Sequence, residues 1–155
     1  MNNDIPSAMW LIEQGEFLEA AKLYMETSSL PEICSRVCPH EALCQGACVM
    51  VKNSDPVLTG YLESFVMDFA REMGLIKIPV GEPTGKRVAI VGAGPAGLGC
   101  AEQLVQKGHT VTIFESKPEG GGLLVYGIPN FKLPKNVVQN RIQDLQDAGV
   151  DFVYN

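Results

Sequence analysis

Residues 87–97, RVAIVGAGPAG, decide the fold of the second half of this chain. They begin with a short apolar run rich in β-branched residues, which predicts a buried strand over residues 87–91. The glycines that follow predict a tight turn into a helix over residues 95–107, and Gly108 ends that helix. A second strand is predicted over residues 110–115, so the segment is typical of a parallel βαβ unit.

The turn between strand and helix has the pattern Gly-x-Gly-x-x-Gly, formed by Gly92, Gly94 and Gly97. The first glycine permits the turn, the second lets the backbone approach a pyrophosphate, and the third lets helix and strand pack closely. Glu115 follows Gly97 by 18 residues and can accept hydrogen bonds from a ribose. An acidic residue here favours a free 2′-hydroxyl, so the motif predicts a site for FAD or NAD rather than NADP. The alternative is an empty βαβ unit with structural glycines.

Downstream, the chain continues the same architecture. A glycine-rich loop at residues 120–122 precedes a predicted helix over residues 134–148, and a last strand is predicted over residues 150–154. Parallel strands joined by helices are typical of a Rossmann-like dinucleotide-binding domain. We assign residues 85–155 to such a domain, with an incomplete sheet whose open edge could support association into oligomers.

Upstream, the periodicity is helical. A first helix capped by Asn3 or Asp4, a second over residues 16–27 and a third after Pro56 are predicted, and glycines end the first and third. In the third helix large apolar side chains recur every fourth residue and are predicted to face the core. They are Val57, Tyr61, Phe65, Phe69 and Met73, with Leu58, Leu62 and Val66 beside them.

Two prolines and two glycines in residues 77–86, KIPVGEPTGK, predict a linker between the halves. The domain organisation is therefore an all-helical, cysteine-rich domain over residues 1–80, followed by the Rossmann-like segment of residues 85–155. The fold class is α plus α/β.

Four of the five cysteines fall within fifteen residues: Cys34, Cys38, Cys44 and Cys48. In a chain without a secretion signal, such a cluster is more typical of metal binding than of disulfides. The spacing C-x3-C-P-x4-C-x3-C fits zinc motifs poorly, and the proline after Cys38 is typical of ferredoxin-like runs. The spacing favours an iron–sulfur cluster and leaves zinc, or a redox or structural thiol group, open.

Two further residues have more than one interpretation. His40 could be a ligand in the zinc interpretation, but its position after Cys38-Pro39 is more typical of an exposed loop residue. Cys100, in the helix after the glycine motif, is interpreted as a small packed side chain.

Composition excludes several classes of protein. With 155 residues, 46% apolar and 19% charged, the chain is globular. No apolar run is long enough to span a membrane, and the N-terminus does not resemble a signal peptide. The net charge of −6, with scattered Lys and Arg, predicts neither a nucleic-acid nor a membrane partner. We expect a cytoplasmic protein.

Together these motifs resemble one family: the small (beta) subunit of NADPH-dependent glutamate synthase. Its relatives are the N-terminal region of dihydropyrimidine dehydrogenase and NADPH:ferredoxin transhydrogenase-type subunits. The matching stretches are NDIP at residues 3–6, LPEICSRVCPHEALCQGACV at 30–49, VAIVGAGPAGLGCAEQL at 88–104 and GGLLVYGIPNFKLPK at 121–135. They span essentially the whole chain in the order of the family.

The resemblance implies an electron relay, in which NADPH reduces FAD and electrons pass singly through 4Fe-4S clusters to a large catalytic or ferredoxin-like partner subunit. It implies that Cys34, Cys38 and Cys44 ligate one cluster with a cysteine from an earlier motif, while Cys48 completes the other. No catalytic nucleophile is expected, which suits a relay.

The resemblance also implies flavin-binding positions. These are Gly92, Gly94, Pro95, Ala96 and Gly97 around the phosphates, Glu115 at the ribose, and Gly122, Leu123 and Lys132 after the second strand. Lys132 is often arginine in the family, and a lysine keeps the charge but loses the bidentate fork.

The chain also departs from the family pattern. The upstream cysteine motif is missing, and the FAD domain and the NADPH domain do not follow in full, so we expect a piece of a larger protein that is inactive alone.

Two other functions remain open. One is a non-catalytic interaction module with a zinc site, and the other is an NAD-binding regulatory domain.

Overall fold

The chain divides into two compact units, Met1–Leu75 and Ile76–Asn155. The computed structural model describes residues 3–155, so Met1 and Asn2 of the predicted helical domain lie outside the described residues. The first unit contains α1 (Ile5–Glu13), α2 (Phe17–Thr27), α3 (Pro31–Val37) and α4 (Thr59–Glu72), with 3₁₀ turns at His40–Ala42 and Val49–Lys52. The second contains β1 (Arg87–Val91), α5 (Pro95–Gln106), β2 (Thr110–Glu115), α6 (Leu123–Tyr126), α7 (Lys135–Asp147) and β3 (Asp151–Tyr154).

The predicted fold class, a helical unit followed by a Rossmann-like parallel βαβ unit, is confirmed. Within residues 3–155, no helix combines the length and the apolar character needed to cross a lipid bilayer.

The residues at the ends of α1 and α2 explain why the two helices form a hairpin. The Asp4 side chain accepts a hydrogen bond of 3.2 Å from the Ser7 N–H, so Asp4 is the predicted N-cap of α1. Gly15 has a φ of +80°, which reverses the chain between the two helices. The Thr27 hydroxyl donates to the Asn3 side-chain oxygen at 2.6 Å and joins the end of α2 to the start of the hairpin.

The buried face of α4 differs from the predicted one. The buried apolar residues of the helix are Val66, Met67 and Ala70. Tyr61 and Phe65, in the stripe predicted to face the core, are 63% and 46% exposed. Val57 and Met73 of the same stripe are 39% and 58% exposed, whereas Val66, which was also predicted to be buried, is buried. A spacing of four drifts around a helix of 3.6 residues per turn. The prediction was therefore wrong for Val57, Tyr61, Phe65 and Met73 and is confirmed for Val66.

The short helix α3, which carries two of the cysteines, was not predicted as an element. Pro31 occupies its first turn, where a missing N–H costs nothing. Cys38 is its C-cap and donates its N–H to the Cys34 carbonyl at 3.1 Å. The helix cannot continue because the residue before a proline is forced into an extended conformation, and Cys38 has a ψ of 139°.

The sheet has the strand order β1-β2-β3, with all pairs parallel. In the register Val88 pairs with Val111 and Ile90 with Ile113, and these four side chains share one face. A Cβ on Gly97 would lie 3.4 Å from the Ile90 side chain, so this is the face that α5 covers. The carboxyl ends of the three strands therefore meet at one edge, beside the start of α5.

The opposite face of the sheet is uncovered within this chain. Val91, Phe114 and Val153 are neighbours across the three strands and are 92%, 45% and 43% exposed. The prediction that residues 87–91 form a buried strand was wrong, because β1 is an edge strand and only the α5 side carries a helix.

The segment predicted as a linker packs on the second unit. The Gly81 N–H donates to the Val105 carbonyl at 3.1 Å, and the Thr84 N–H to the Gly108 carbonyl at 2.9 Å. A Cβ on Gly108 would overlap the Glu82 carbonyl oxygen at 1.7 Å, which explains why a glycine stands at this crossing. Residues 77–86 are thus held against the end of α5.

Candidate functional site

The glycine motif forms a cradle between β1 and α5. Gly92 has a φ of +95°, which an L side chain rarely adopts. A Cβ on Gly97 would lie 2.0 Å from the Gly92 carbonyl oxygen, so only glycine allows helix and strand to approach this closely. By contrast, a Cβ on Gly94 would meet no atom within 4 Å, and the space in front of Gly94 is open.

The start of α5 presents polar backbone to that open space. Gly94 is the N-cap and provides no side-chain cap, and Pro95 lies in the first turn. Pro95 and Ala96 are exposed. N–H groups in the first turn of a helix have no intrahelical partner, and together with the helix dipole they favour an anion.

Glu115 is held at the end of β2 by the cradle. One oxygen of its carboxylate accepts the Ala93 N–H at 2.7 Å, and the other accepts the Lys117 N–H at 2.9 Å. The Ala93 hydrogen bond is the largest cause of a lowered Glu115 pKa, so the group is a carboxylate at neutral pH. The oxygen bonded to Lys117 also accepts from the Ser116 hydroxyl at 3.4 Å, and the oxygen bonded to Ala93 has a second lone pair that can accept a further hydrogen bond.

A cavity of about 250 Å³ opens beside Glu115, at the carboxyl ends of all three strands. Val91 and Gly92 line it from β1, Phe114 and Glu115 from β2, and Val153 from β3. In open α/β sheets ligands bind at this edge. The cavity combines apolar side chains, on which a nucleobase can pack, with the Glu115 carboxylate, which can accept hydrogen bonds from a ribose.

The second glycine loop completes the cradle. The Gly121 N–H donates to the Ala93 carbonyl at 2.7 Å, and a Cβ on Gly122 would lie 3.0 Å from the Gly94 Cα. Gly122, with a φ of +52°, therefore packs directly on the motif.

The remaining predicted flavin positions lie outside the cavity beside Glu115. Leu123 begins α6 and is 74% exposed, and Lys132 is exposed on the turn that follows. Sequence reasoning missed Lys135, whose ammonium group donates to the Leu124 carbonyl at 2.8 Å and to the Ile128 carbonyl. Lys135 fixes the turn that carries Lys132, and no local sequence pattern marks that role.

The first unit contains a separate candidate site, a cavity of about 290 Å³. Three cysteines line it: Cys34, Cys38 and Cys44. Cys34 and Cys38 lie one turn apart on α3, and Cys44 comes from the loop after His40–Ala42. Cys48 is half-buried and does not line the cavity. We call this space the cysteine cavity.

The thiols are spread around the cavity. Among the described residues, no three His, Cys, Asp or Glu side chains converge on a point where one metal ion would bind. A zinc site needs four ligands about 2.0–2.3 Å from one centre. A 4Fe-4S cluster instead takes one thiolate at each of several irons, so its ligands stand farther apart. Three thiols at one cavity are the donor type that an iron–sulfur cluster takes.

The cysteine cavity is poorly solvated. Burial raises the pKa of Cys34 to about 11, with the neighbouring charges of Cys38 and Glu63 adding to the effect. Burial also raises the pKa of Glu63, on α4, to about 7. Each group is therefore neutral more readily than it would be in water.

Two residues of the cysteine cavity were missed or misassigned from the sequence. Glu63 lines it, and the only signal for Glu63 was a carboxylate within an otherwise apolar helix face. His40 was interpreted as exposed, but it is 7% exposed and lines the cavity. The interpretation failed because Gly60 of α4, which is distant in sequence, provides the space into which the imidazole fits.

Cys100 also differs from its interpretation as a packed side chain. It is exposed on α5, because the buried face of that helix is formed by other residues, including Leu98, Ala101 and Val105.

Comparison with known proteins places both sites in families. Residues 1–75 match the family model described as dihydropyrimidine dehydrogenase domain II, 4Fe-4S cluster. Residues 90–134 match that of an NAD(P)-binding Rossmann-like domain. The chain is 43% identical to the NADPH glutamate synthase small chain of Escherichia coli (strain K12) over 156 residues, covering 100% of this chain and 33% of the relative.

The chain is similar over its whole length to part of the glutamate synthase small chains. The small chain of Bacillus subtilis (strain 168) is 45% identical over 99% of this chain and 31% of its own length. A candidate oxidoreductase of Escherichia coli (strain K12), UacF, is 45% identical over 100% of this chain and 24% of its own length. The chain thus spans between a quarter and a third of the length of these curated relatives.

The glutamate synthase homology agrees with the two-unit structure. The cysteine cavity lies within the match to a 4Fe-4S cluster domain, and the cradle lies within the match to an NAD(P)-binding Rossmann-like domain. The two matches therefore agree with one candidate site for an iron–sulfur cofactor and one for a nucleotide cofactor.

Proposed function

We propose that this chain is the segment of an NAD(P)H-dependent oxidoreductase that holds FAD and a 4Fe-4S cluster, as in a glutamate synthase small subunit. The observation that carries the proposal is the joint presence in one chain of three thiols around the cysteine cavity and an open glycine cradle with a carboxylate beside it. The glycine cradle and Glu115 would hold FAD, which would supply hydride acceptance, and the thiols of the cysteine cavity would hold a cluster, which would supply one-electron transfer.

In the cluster domain, which we take to be residues 1–80, we propose Cys34, Cys38 and Cys44 as ligands of one cluster. Cys48 lies outside their cavity and is available to another metal centre or to a partner. The apolar walls of the cavity restrict water, which protects a cluster and lets hydrogen bonds set its properties. Two of the three thiols, Cys34 and Cys38, belong to α3 and its C-cap, and the third, Cys44, belongs to the loop that follows.

In the dinucleotide domain, which we take to be residues 85–155, Gly92, Gly94, Pro95, Ala96 and Gly97 surround the phosphates. Gly94 leaves room for the pyrophosphate, and the first turn of α5 donates N–H groups to it. The Glu115 carboxylate accepts hydrogen bonds from a ribose, and its lowered pKa keeps it charged for that task. Gly122 allows the second glycine loop to lie close to Gly94. Leu123 and Lys132 lie on the segment that follows Gly122.

The homology extends the proposal to a partner. The relatives are named as small chains of glutamate synthase, so we propose a large catalytic subunit, or a ferredoxin-like protein, as the electron acceptor.

The test is to purify the chain without oxygen and measure its visible spectrum together with iron, acid-labile sulfide, zinc and flavin. We expect iron and sulfide in equal amounts, a broad brown absorbance and a yellow flavin that extracts as FAD. Cys44→Ser should lose iron, whereas Cys100→Ser, whose thiol is exposed on the other unit, should retain it. Stoichiometric zinc without iron would contradict the proposal and favour an interaction module.

A further inference from the structure

The second glycine loop, residues 120–122, lies against the glycine motif. Gly120 and Gly121 are buried, although neither belongs to a helix or a strand. The backbone N–H groups of a buried loop need acceptors within the protein, because water does not reach them. The Gly121 N–H has such an acceptor in the Ala93 carbonyl, at 2.7 Å. The Gly120 N–H requires another.

The acceptor for the Gly120 N–H is the Tyr154 hydroxyl, at the end of β3. The two groups are close, since a Cβ on Gly120 would lie 3.3 Å from the Tyr154 hydroxyl oxygen. The same Cβ would lie 3.2 Å from the Ala93 Cβ and 3.1 Å from the Ile142 Cδ1. Gly120 is therefore enclosed by the glycine motif, α7 and β3 together.

Tyr154 is itself held in a defined position. It pairs with Glu115 in the register of β2 and β3, and its ring stacks on that of Phe152 with centroids 6.0 Å apart. Burial raises the pKa of Tyr154, so the side chain is a neutral phenol at neutral pH. The Tyr126 hydroxyl also donates to the Glu119 carbonyl at 3.3 Å, which holds the residue before the loop.

Ala93 connects the second glycine loop to the cradle. Its carbonyl accepts the Gly121 N–H, and its own N–H donates to the Glu115 carboxylate at 2.7 Å. A peptide group is planar, so fixing the Ala93 carbonyl also fixes the direction of the Gly94 N–H, which belongs to the same peptide. Gly94 faces the open space proposed for the pyrophosphate. The loop therefore sets the orientation of the backbone at the cradle.

We propose that Tyr154 is a positioning residue of the nucleotide cradle, whose hydroxyl holds the second glycine loop and, through it, the Ala93–Gly94 peptide. This inference rests on the proposed function. Tyr154 acts through Gly120 and does not need to contact the nucleotide. The third strand thereby contributes to a site whose motif lies on β1 and α5, and no local sequence pattern marks that contribution.

The test is a fluorescence polarisation titration of FAD with the chain. Tyr154→Phe keeps the ring that stacks on Phe152 and removes only the hydroxyl. We expect the affinity for FAD to fall by about tenfold, because the Gly120 N–H loses its acceptor and the loop shifts. Tyr61→Phe is the matched control and should leave the affinity unchanged, since it removes a hydroxyl from a side chain of the first unit that is 63% exposed.

Hydrogen exchange in the ligand-free chain separates positioning from general stability. In Tyr154→Phe the Gly121 N–H should exchange about tenfold faster than in the parent chain, because the loop opens locally. The Ile113 N–H provides the reference, since Ile113 pairs with both neighbouring strands in the middle of the sheet. Its exchange should be unchanged, whereas a general loss of stability would accelerate both amides.

Three results would overturn the inference. If Tyr154→Phe binds FAD as tightly as the parent chain, the hydroxyl does not position the cradle, and the proposed function still stands. If the Gly121 and Ile113 amides accelerate by the same factor, Tyr154 stabilises the whole sheet and is not a positioning residue. If the parent chain binds no FAD, the inference and the flavin part of the proposed function fail together.

Discussion

Gly94 and Gly97 belong to one motif, but the space available for a side chain differs between the two positions. Gly97→Ala places a Cβ 2.0 Å from a backbone oxygen that cannot move aside, so α5 must shift from β1. We expect Gly97→Ala to lower the free energy of unfolding by about 2 kcal/mol, as overpacking usually does. Urea denaturation followed by circular dichroism measures that change.

Gly94→Ala is the matched comparison. Its Cβ would enter open space at a φ of −76°, so we expect a change in unfolding free energy below about 0.5 kcal/mol. The same methyl group occupies the space proposed for the pyrophosphate, and FAD binding should weaken by about tenfold or more, or ~1.4 kcal/mol. Full flavin retention in Gly94→Ala would refute the pyrophosphate position.

Glu115 makes a pH-dependent contribution that can be measured without a ligand. Its pKa is lowered in the folded protein, chiefly by the Ala93 N–H. Its stabilisation is therefore present above the unfolded pKa of about 4.3 and is lost as the pH falls through the lower folded value. Glu115→Gln should be less stable than the parent at neutral pH, and the difference should shrink in acid. A difference independent of pH would contradict this assignment.

At the scale of elements, α3 is a seven-residue helix that depends on α4 for its position. The Arg71 guanidinium of α4 donates two hydrogen bonds of 2.7 Å to the carboxylate of Glu32, which is 5% exposed. Arg36 of α3 donates both to the Glu32 carbonyl at 2.8 Å and to Asp68 of α4 at 2.6 Å. These bonds orient the helix that presents Cys34 and Cys38.

We expect Arg71→Met to destabilise the first unit by about 2–3 kcal/mol, because Glu32 would be left buried without its partner. The loss should stay below that of a fully buried pair, since the Arg71 side chain is 23% exposed. Lys22→Met, which breaks the exposed Lys22–Glu19 pair, is the control and should change stability by less than about 0.5 kcal/mol. Thermal unfolding and iron content of both variants provide the measurement, and equal losses would contradict the argument.

At the scale of the whole molecule, the uncovered sheet face is the largest departure from a closed α/β fold. Val91, Phe114 and Val153 form an apolar row across three strands, and β1 has an open edge. Exposed apolar rows and free strand edges favour association. We predict concentration-dependent self-association of the chain through this face.

Val91→Lys should reduce that association without loss of stability, because the Val91 side chain is 92% exposed. Phe131→Lys changes an equally exposed apolar side chain, 91% exposed and outside the row, and should leave association unchanged. Sedimentation velocity over a range of concentrations distinguishes them. If both variants associate as the parent does, the sheet face is not the contact.

Sequence alone determined the first two strands and the cradle. The strands at residues 87–91 and 110–115, the turn at Gly92 and the close approach at Gly97 follow from local chemistry, since β-branched runs and glycines constrain the backbone wherever they occur. The cysteine spacing likewise indicated a metal-binding segment. These features depend on residues near one another in the chain.

Only the tertiary structure decided which faces are buried and what surrounds the thiols. The burial of His40 depends on Gly60, the exposure of Phe65 depends on how α4 meets its neighbours, and Glu63 enters the cysteine cavity from a different helix. The exposure of Val91 depends on the absence of a covering layer within this chain. Burial arises from contacts between distant segments, and periodicity within one segment does not specify its partner.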